Sequence, residues 1–170
     1  MKTSPCIAVL LAGLASASAQ GTLQFTAALN GANEVPPTAS TRIGSGDFAL
    51  SGSALDYTVA FSATADVPTD VTMNGPALPG STAPVLFDLG APFFIAPNPP
   101  QFPWAVTGTI NNLTSAQIND LVAGLWYVNV FSSPSSYPDG EIRGQIVPEP
   151  ATLSLLLVSG AAFWLVRKRC

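Results

Sequence analysis

Alternating apolar and polar positions dominate the chain between residues 20 and 147. Apolar side chains occupy every second position from 23 to 29, which predicts a half-buried strand. Two more alternating runs, 48–50 and 55–61, flank a Ser-Gly-Ser turn at 51–53 and predict a β-hairpin. Further short apolar runs, each a predicted strand, follow at 84–89, 104–110, 125–131 and 141–147.

One segment has helical periodicity instead. Thr114 is a good N-cap, and Gln117, three residues later, completes a capping box. Aliphatic residues repeat at helical spacing from 118 to 122, and Gly124 can adopt the left-handed conformation that ends a helix. One short helix is therefore expected between two strands.

A proline-rich segment at 91–103 interrupts the strands. Its five prolines exclude it from the interior of a sheet, so it predicts a long extended loop with Phe93, Phe94, Ile95 and Phe102 on or near the surface. About seven short strands and a single helix predict an all-β fold. We expect a Greek-key β-sandwich of the immunoglobulin-like or superoxide-dismutase-like type, spanning residues 20–147.

Both ends of the chain have the pattern of targeting segments. Residues 1–19 combine Lys2, an apolar core at 7–14 and Ala17-Ser18-Ala19, which predicts a cleaved secretory signal peptide. At the other end, Pro148-Glu149-Pro150 precedes an apolar stretch at 151–166 and the basic residues Arg167, Lys168 and Arg169. Sixteen helical residues span roughly 24 Å, short of a ~30 Å hydrocarbon core. This segment is predicted to hold the protein in a membrane transiently before processing; a permanent single-span anchor is the alternative.

Composition removes several classes of chemistry from residues 20–147. This part of the sequence has no cysteine and no histidine, which excludes disulfides, the usual thiolate or imidazole metal sites and a Ser-His-Asp triad. The same residues include two arginines and nine acidic residues. Their net charge of −7 would repel the phosphates of a nucleic acid. No metal, no cofactor and no catalytic residue is predicted. Paired carboxylates of a glycosidase, and calcium near Asp66 and Asp70, are the weaker alternatives.

Two polar stretches could form a binding site. The first, NGANEVPPTAS at 30–40, places Glu34 before two prolines. The second, PDGEIRGQI at 138–146, has a turn followed by Glu141 and Arg143, whose spacing puts both side chains on one face of a strand. An exposed Glu–Arg pair would contribute only about 0–1 kcal/mol to stability. The functional alternative is a polar recognition patch made of Glu34, Glu141 and Arg143.

Long stretches of this sequence resemble the CHRD domain, named after repeats in the animal protein chordin. The similarity lies in LNGANEVPPT, AGLWYVNV and GEIRGQI, in that order, and extends over nearly all of residues 23–148. The resemblance implies an all-β domain of unestablished biochemical role, widespread in exported microbial proteins and not usually regarded as an enzyme. Members of the family often have histidines in segments similar to VTMNGPALPG and YVNVFSS; here Met73, Asn74 and Phe131 stand in those segments.

The C-terminal segment 148–170 resembles the PEP-CTERM sorting signal of Gram-negative bacteria. That resemblance implies processing near Pro148-Glu149-Pro150 by an exosortase-type membrane enzyme, and release to the cell surface or into extracellular polysaccharide. The sequence is therefore interpreted as an exported, non-enzymatic module for adhesion or matrix association. A binding module for a secreted protein partner, by analogy with chordin, is the alternative.

Overall fold

Ten strands and one α-helix make up the described part of the chain. The computed structural model describes residues 21–64, 66–94, 102–133, 137 and 139–149. The helix is α1 (Ser115–Val122), and a short 3-10 turn, Gly31–Asn33, follows the first strand. The strands are β1 (Leu23–Asn30), β2 (Ile43–Ser51), β3 (Ala54–Phe61), β4 (Val67–Asn74), β5 (Val85–Gly90), β6 (Phe93–Phe94), β7 (Trp104–Ile110), β8 (Tyr127–Ser133), β9 (Ile142–Gln145) and β10 (Val147–Pro148).

All ten strands belong to one sheet. Their order is β5-β4-β8-β9-β1-β2-β3-β7-β6, and β10 pairs with β1 beside β9. The sheet curls until β5 lies close to β7, so it is a nearly closed, barrel-like sheet. The predicted all-β class with one short helix is confirmed. The two separate sheets of a Greek-key sandwich are not confirmed, because the described strands form a single continuous hydrogen-bonded ladder.

The predicted hairpin is present as β2 and β3. Their register is continuous from Gly44↔Phe61 to Ser51↔Ala54, and the two residues between them form the turn. Gly52 has φ +60°, the left-handed conformation that glycine adopts at little cost. The alternation seen in the sequence therefore sets the faces of both strands, as expected.

The core lies inside the curled sheet. Phe25, Phe48, Val59 and Phe61 are the inward residues of β1, β2 and β3, and none of them is more than 1 % exposed. Strands β4, β8 and β9 contribute the aliphatic side chains opposite them, which include Val71, Val128, Val130 and Ile142. Burial of these apolar surfaces is the main stabilising contribution to the fold.

Strand β4 is absent from the sequence prediction. Its sequence, VPTDVTMN, contains Pro68 and Asp70, which are both unfavourable in strands and hide the alternation. A register irregularity between Pro68 and Asp70 accommodates the proline against β8. Beyond that point β4 pairs regularly with β8, and this pairing brings its polar residues into the candidate site.

The proline-rich segment contains an edge strand. Phe93 and Phe94 pair with β7 as β6, and the Phe93 side chain is half exposed. Residues 95–101 lie outside the described part, and so does the prediction made for Ile95. A position at the sheet edge agrees with the argument that prolines keep this segment out of the sheet interior.

Helix α1 begins and ends where its sequence predicts. The Thr114 hydroxyl accepts a hydrogen bond from the Gln117 backbone (3.2 Å), while the Gln117 side chain accepts one from the Thr114 backbone (2.9 Å). After the helix, Gly124 has φ +70°. Leu121 is fully buried and fixes the helix against the core.

The predicted targeting segments lie mostly outside the described residues. This holds for the signal peptide at 1–19, for Pro150, for the apolar stretch at 151–166 and for the basic residues 167–169. Within the described part, no helix is both long and apolar enough to cross a membrane. Pro148 belongs to β10, and the Glu149 amide donates to the Gln24 carbonyl (3.0 Å).

Candidate functional site

A row of polar side chains crosses β4, β8 and β9 on the outer face of the sheet. The register aligns Thr72 with Asn129 and Asn129 with Arg143, while Tyr127 pairs with Gln145 and with Asn74. Because side chains alternate across a strand, the intervening residues point into the core and these six point away from it. This polar row consists of Thr72, Asn74, Tyr127, Asn129, Arg143 and Gln145.

The loop 75–84 covers one part of the polar row. The Arg143 Nη2 donates to the Ser81 carbonyl (2.8 Å), and the Gln145 Nε2 donates to the Ala77 carbonyl (2.9 Å). The Asn74 Nδ2 and the Tyr127 hydroxyl both donate to the Ala83 carbonyl. These bonds satisfy three loop carbonyls, including that of the buried Ala77, so the polar row holds the loop onto the sheet.

Arg143 is the centre of the row. Its guanidinium lies over the Tyr127 ring, 3.4 Å from the centroid, and the residue is 2 % exposed. Burial lowers the pKa of Arg143, and the nearby Tyr127 and Glu34 partly oppose this effect. Stacking on an aromatic face offsets part of the cost of burying a guanidinium.

Glu34 approaches Arg143 from the loop between β1 and β2. Glu34 directly follows the 3-10 turn. Asn30 is the N-cap of this turn, and its side chain accepts a hydrogen bond from the Asn33 backbone (3.0 Å). Glu34 is 5 % exposed, and desolvation raises its pKa from 4.5 to about 7; Arg143 opposes the rise and Asp139 adds to it. A carboxyl group with this pKa changes its charge near neutral pH.

A cavity of about 380 Å³ opens between the two loops. Its polar lining residues are Asn33, Glu34, Arg143 and Gln145, and Val35, Pro37 and Pro79 form apolar parts of its wall. The volume falls in the range of small-molecule binding sites. This cavity, with the polar row beneath it, is the candidate functional site.

A second buried charge cluster holds the loop that carries Glu34. The Arg42 Nε donates to the Glu141 Oε2 (2.8 Å), and neither side chain is more than 1 % exposed. Ser40 donates to the other Glu141 oxygen (2.6 Å), and the Thr38 hydroxyl donates to the Glu141 carbonyl (2.8 Å). Ser132 also donates to the carboxylate. Glu141 therefore fixes the segment 38–42 and, through it, the position of Glu34.

Arg42 is fully engaged in this cluster. Beyond its bond to Glu141, it donates to the Ser62 carbonyl (2.7 Å), the Thr64 hydroxyl (2.6 Å) and the Asp66 carbonyl (2.6 Å). Its guanidinium carbon lies 5.5 Å from the centroid of the Phe61 ring. The two charged side chains, Arg42 and Glu141, are buried and each has several hydrogen-bond partners, as a stable buried ion pair requires.

The structure divides the three residues of the predicted recognition patch. Glu34 and Arg143 line the same cavity, whereas Glu141 lies just before β9 and pairs with Arg42. The predicted exposed Glu141–Arg143 pair is not present, because both residues are buried and Glu141 is engaged elsewhere. Sequence reasoning missed the contribution of Arg42, for which the sequence offers no local signal.

Four members of the polar row, Thr72, Asn74, Tyr127 and Asn129, lie in the segments VTMNGPALPG and YVNVFSS. Asn74 belongs to the polar row, but Met73 points into the core and is fully buried, and Phe131 has no place in the row. Asn129 and Tyr127 are also members, and their alternation with Val128 and Val130 in YVNV is the signal that could have identified them. Their partners on β4 and β9 depend on strand order, which the sequence does not give.

A protein-family profile matches most of the chain. The profile of the CHRD domain matches residues 25–146, which include every strand from β2 to β9, most of β1 and the whole candidate site. No curated protein and no solved structure matches the chain.

Proposed function

The chain belongs to the CHRD domain family, and from this premise we propose that it is an exported, non-enzymatic module that associates with extracellular polysaccharide. It would act at the cell surface or in the matrix of a Gram-negative bacterium, by binding rather than by catalysis. The observation that carries the proposal is the cavity of about 380 Å³ beside Glu34 and Arg143. A cavity that combines polar side chains with an apolar wall is suited to a small polar ligand such as one unit of a glycan.

The proposed route to that location rests on the two ends of the chain. The signal peptide at 1–19 would direct export, and an exosortase-type enzyme would process the tail near Pro148-Glu149-Pro150. Before processing, residues 151–166 would hold the protein in the inner membrane with Arg167, Lys168 and Arg169 on the cytoplasmic side. In the described part, Pro148 pairs with β1 and the Glu149 amide donates a hydrogen bond to it, so the proposed processing site overlaps the last strand of the domain.

Mass spectrometry of the mature protein from its native host tests the route. A C-terminus at or near Glu149 supports processing and release. An intact Cys170 would show instead that the tail serves as a permanent anchor.

Sedimentation with exopolysaccharide from the same host tests the binding function. The full chain should co-sediment with the polysaccharide, and addition of excess soluble polysaccharide should release it. Failure to co-sediment would contradict the matrix proposal. Retention on a single secreted protein, with no glycan in the complex, would favour the alternative role as a protein-binding module.

A further inference from the structure

Arg143 is a buried cation without a carboxylate at ion-pairing distance. It is 2 % exposed, yet no carboxylate of the described residues lies within 4.0 Å of its nitrogens. Arg42 provides a comparison inside the same domain, because it is equally buried and has Glu141 at 2.8 Å. Buried charges in proteins are normally paired. Within the described part of the chain, Arg143 therefore lacks the anionic partner that Arg42 has.

The Arg143 guanidinium has hydrogen-bond donors that the described domain does not use. Its Nη2 donates to the Ser81 carbonyl (2.8 Å), but Nε and Nη1 donate no hydrogen bond within the described domain. Arg143 lines the cavity, and Nε and Nη1 are the donors that it could offer to a ligand there.

Glu34 does not supply the missing negative charge when it holds a proton, and its surroundings favour the protonated form. Its Oε1 and the Asn129 Oδ1 are both buried acceptors without a hydrogen-bond donor. Both lie within 2.7 Å of the point that a Cβ on Gly140 would occupy. The Asn129 amide cannot simply be reversed, because its Nδ2 donates to the Asp139 carbonyl (3.1 Å). A proton on the Glu34 Oε1 would turn this atom from an unsatisfied acceptor into a donor, and would remove a negative charge from beside the Asn129 Oδ1.

We propose that the cavity binds the carboxylate of a uronate sugar, with Arg143 as the residue that donates to it. The sugar ring would pack on the apolar wall formed by Val35, Pro37 and Pro79, and Gln145 would lie beside it. Arg143 is well suited to this ligand, because a guanidinium is the preferred protein partner of a carboxylate. The inference rests on the proposed function and narrows its ligand to an acidic polysaccharide.

The acidic surface of the domain does not prevent this binding. The repulsion between exposed charges is largely screened beyond about 8 Å at physiological ionic strength, whereas the contact with Arg143 is local and partly buried. The ligand must therefore reach the cavity itself, and the affinity of a single sugar unit should be modest.

The charge of Glu34 should control the site. The charged and titratable groups around it are Arg143 on β9, Asp139 and Tyr137 in the preceding loop, and Tyr127 beneath Arg143. Loss of the Glu34 proton near neutral pH places a negative charge beside Arg143 and repels a second carboxylate. Binding of a uronate should therefore weaken as the pH rises through about 7.

The test uses the full chain in a detergent without a sugar headgroup. Ligand-observed NMR titrations compare sodium D-galacturonate with D-galactose, which has the same ring without the carboxylate, and with sodium acetate. We expect galacturonate to bind at least tenfold more tightly than either comparison ligand at pH 5.5. At pH 8.5 its affinity should fall about tenfold, since juxtaposed like charges are strongly unfavourable.

Two substitutions assign the effect to named residues. Glu34→Gln keeps the neutral state at every pH, so its affinity for galacturonate at pH 8.5 should match that of the original protein at pH 5.5. Arg143→Gln should abolish binding. If Arg143→Gln does not fold, the pH profile of galacturonate binding to Glu34→Gln still tests the proposal, because this variant retains the neutral form of the site.

Several results would overturn the proposal. These are equal binding of galactose or acetate, an affinity that rises with pH, or a pH dependence that persists in Glu34→Gln. The outcome is separable from that of the proposed function. Co-sedimentation with host polysaccharide that survives Arg143→Gln would leave matrix association standing and refute this site. Galacturonate binding without co-sedimentation would support this site and refute matrix association.

Discussion

Replacing Glu34 by Gln should change how the stability of the domain depends on pH. The Glu34 carboxyl is 5 % exposed, and burial raises its pKa from 4.5 to about 7. The folded protein then binds this proton more tightly than the unfolded chain does. Stability should therefore fall as the pH rises above 4.5, and the loss should be complete above about 7. A glutamine cannot ionise, so the variant should not show this part of the loss.

The size of the effect follows from the shift. At about 1.4 kcal/mol per pKa unit, the rise corresponds to a ceiling of about 3.5 kcal/mol. Solvent reaches Glu34 through the cavity and screens its charge, so about half of this value is expected. Between pH 5 and pH 8, the original protein should lose about 1.5 kcal/mol more stability than Glu34→Gln.

Urea denaturation of the full chain at several pH values measures this difference. Tryptophan fluorescence should report unfolding, because Trp126 is fully buried. Asp47→Asn is the matched control, because it also replaces one carboxylate by an amide but does so at an exposed position on β2. If the stability difference between Glu34→Gln and the original protein is the same at pH 5 and pH 8, or grows in the opposite direction, the account of Glu34 is refuted.

Three further substitutions test the architecture around the site, each by urea or thermal denaturation. Glu141→Ala should destabilise the protein by about 3–5 kcal/mol, because it leaves the Arg42 charge buried without its partner; replacing both residues by Met should cost less than the single change. Gly140→Ala should lower the free energy of unfolding by about 2 kcal/mol or more, since Gly140 has φ +131° and no room for a Cβ. Gly21→Ala is the control and should leave stability unchanged, because a Cβ there has no atom within 4 Å. Thr114→Ala should cost about 1 kcal/mol through loss of the capping box, and a loss below 0.3 kcal/mol would contradict the assigned role.

Local signals explain how much of the fold could be predicted. The alternation along β2 and β3, the Gly52 turn and the capping box of α1 all depend on residues close in sequence, and each appears where expected. Strand β4 was missed because Pro68 and Asp70 disguise its pattern. The single sheet could not be deduced, because the neighbours of β4 and β9 are set by long-range packing.

The same distinction applies to the candidate site. Glu34 and Arg143 stand out in the sequence as polar residues in unusual contexts, and the structure places both at one cavity. Glu141 has an equally conspicuous sequence context, but its partner is Arg42, which is 99 residues away along the chain. Sequence spacing indicates that two side chains share a strand face; it does not reveal which of them a distant residue will reach.

The pairing of β10 with β1 has a mechanical consequence. Phe25 lies opposite Pro148 and Thr26 opposite Val147, so the two ends of the described domain leave it side by side. A force that pulls these ends apart breaks the β1–β10 hydrogen bonds one after another. Strand β10 contributes only two residues to resist this force. Tension on the tail would therefore peel β10 away at low force before it loads the rest of the sheet.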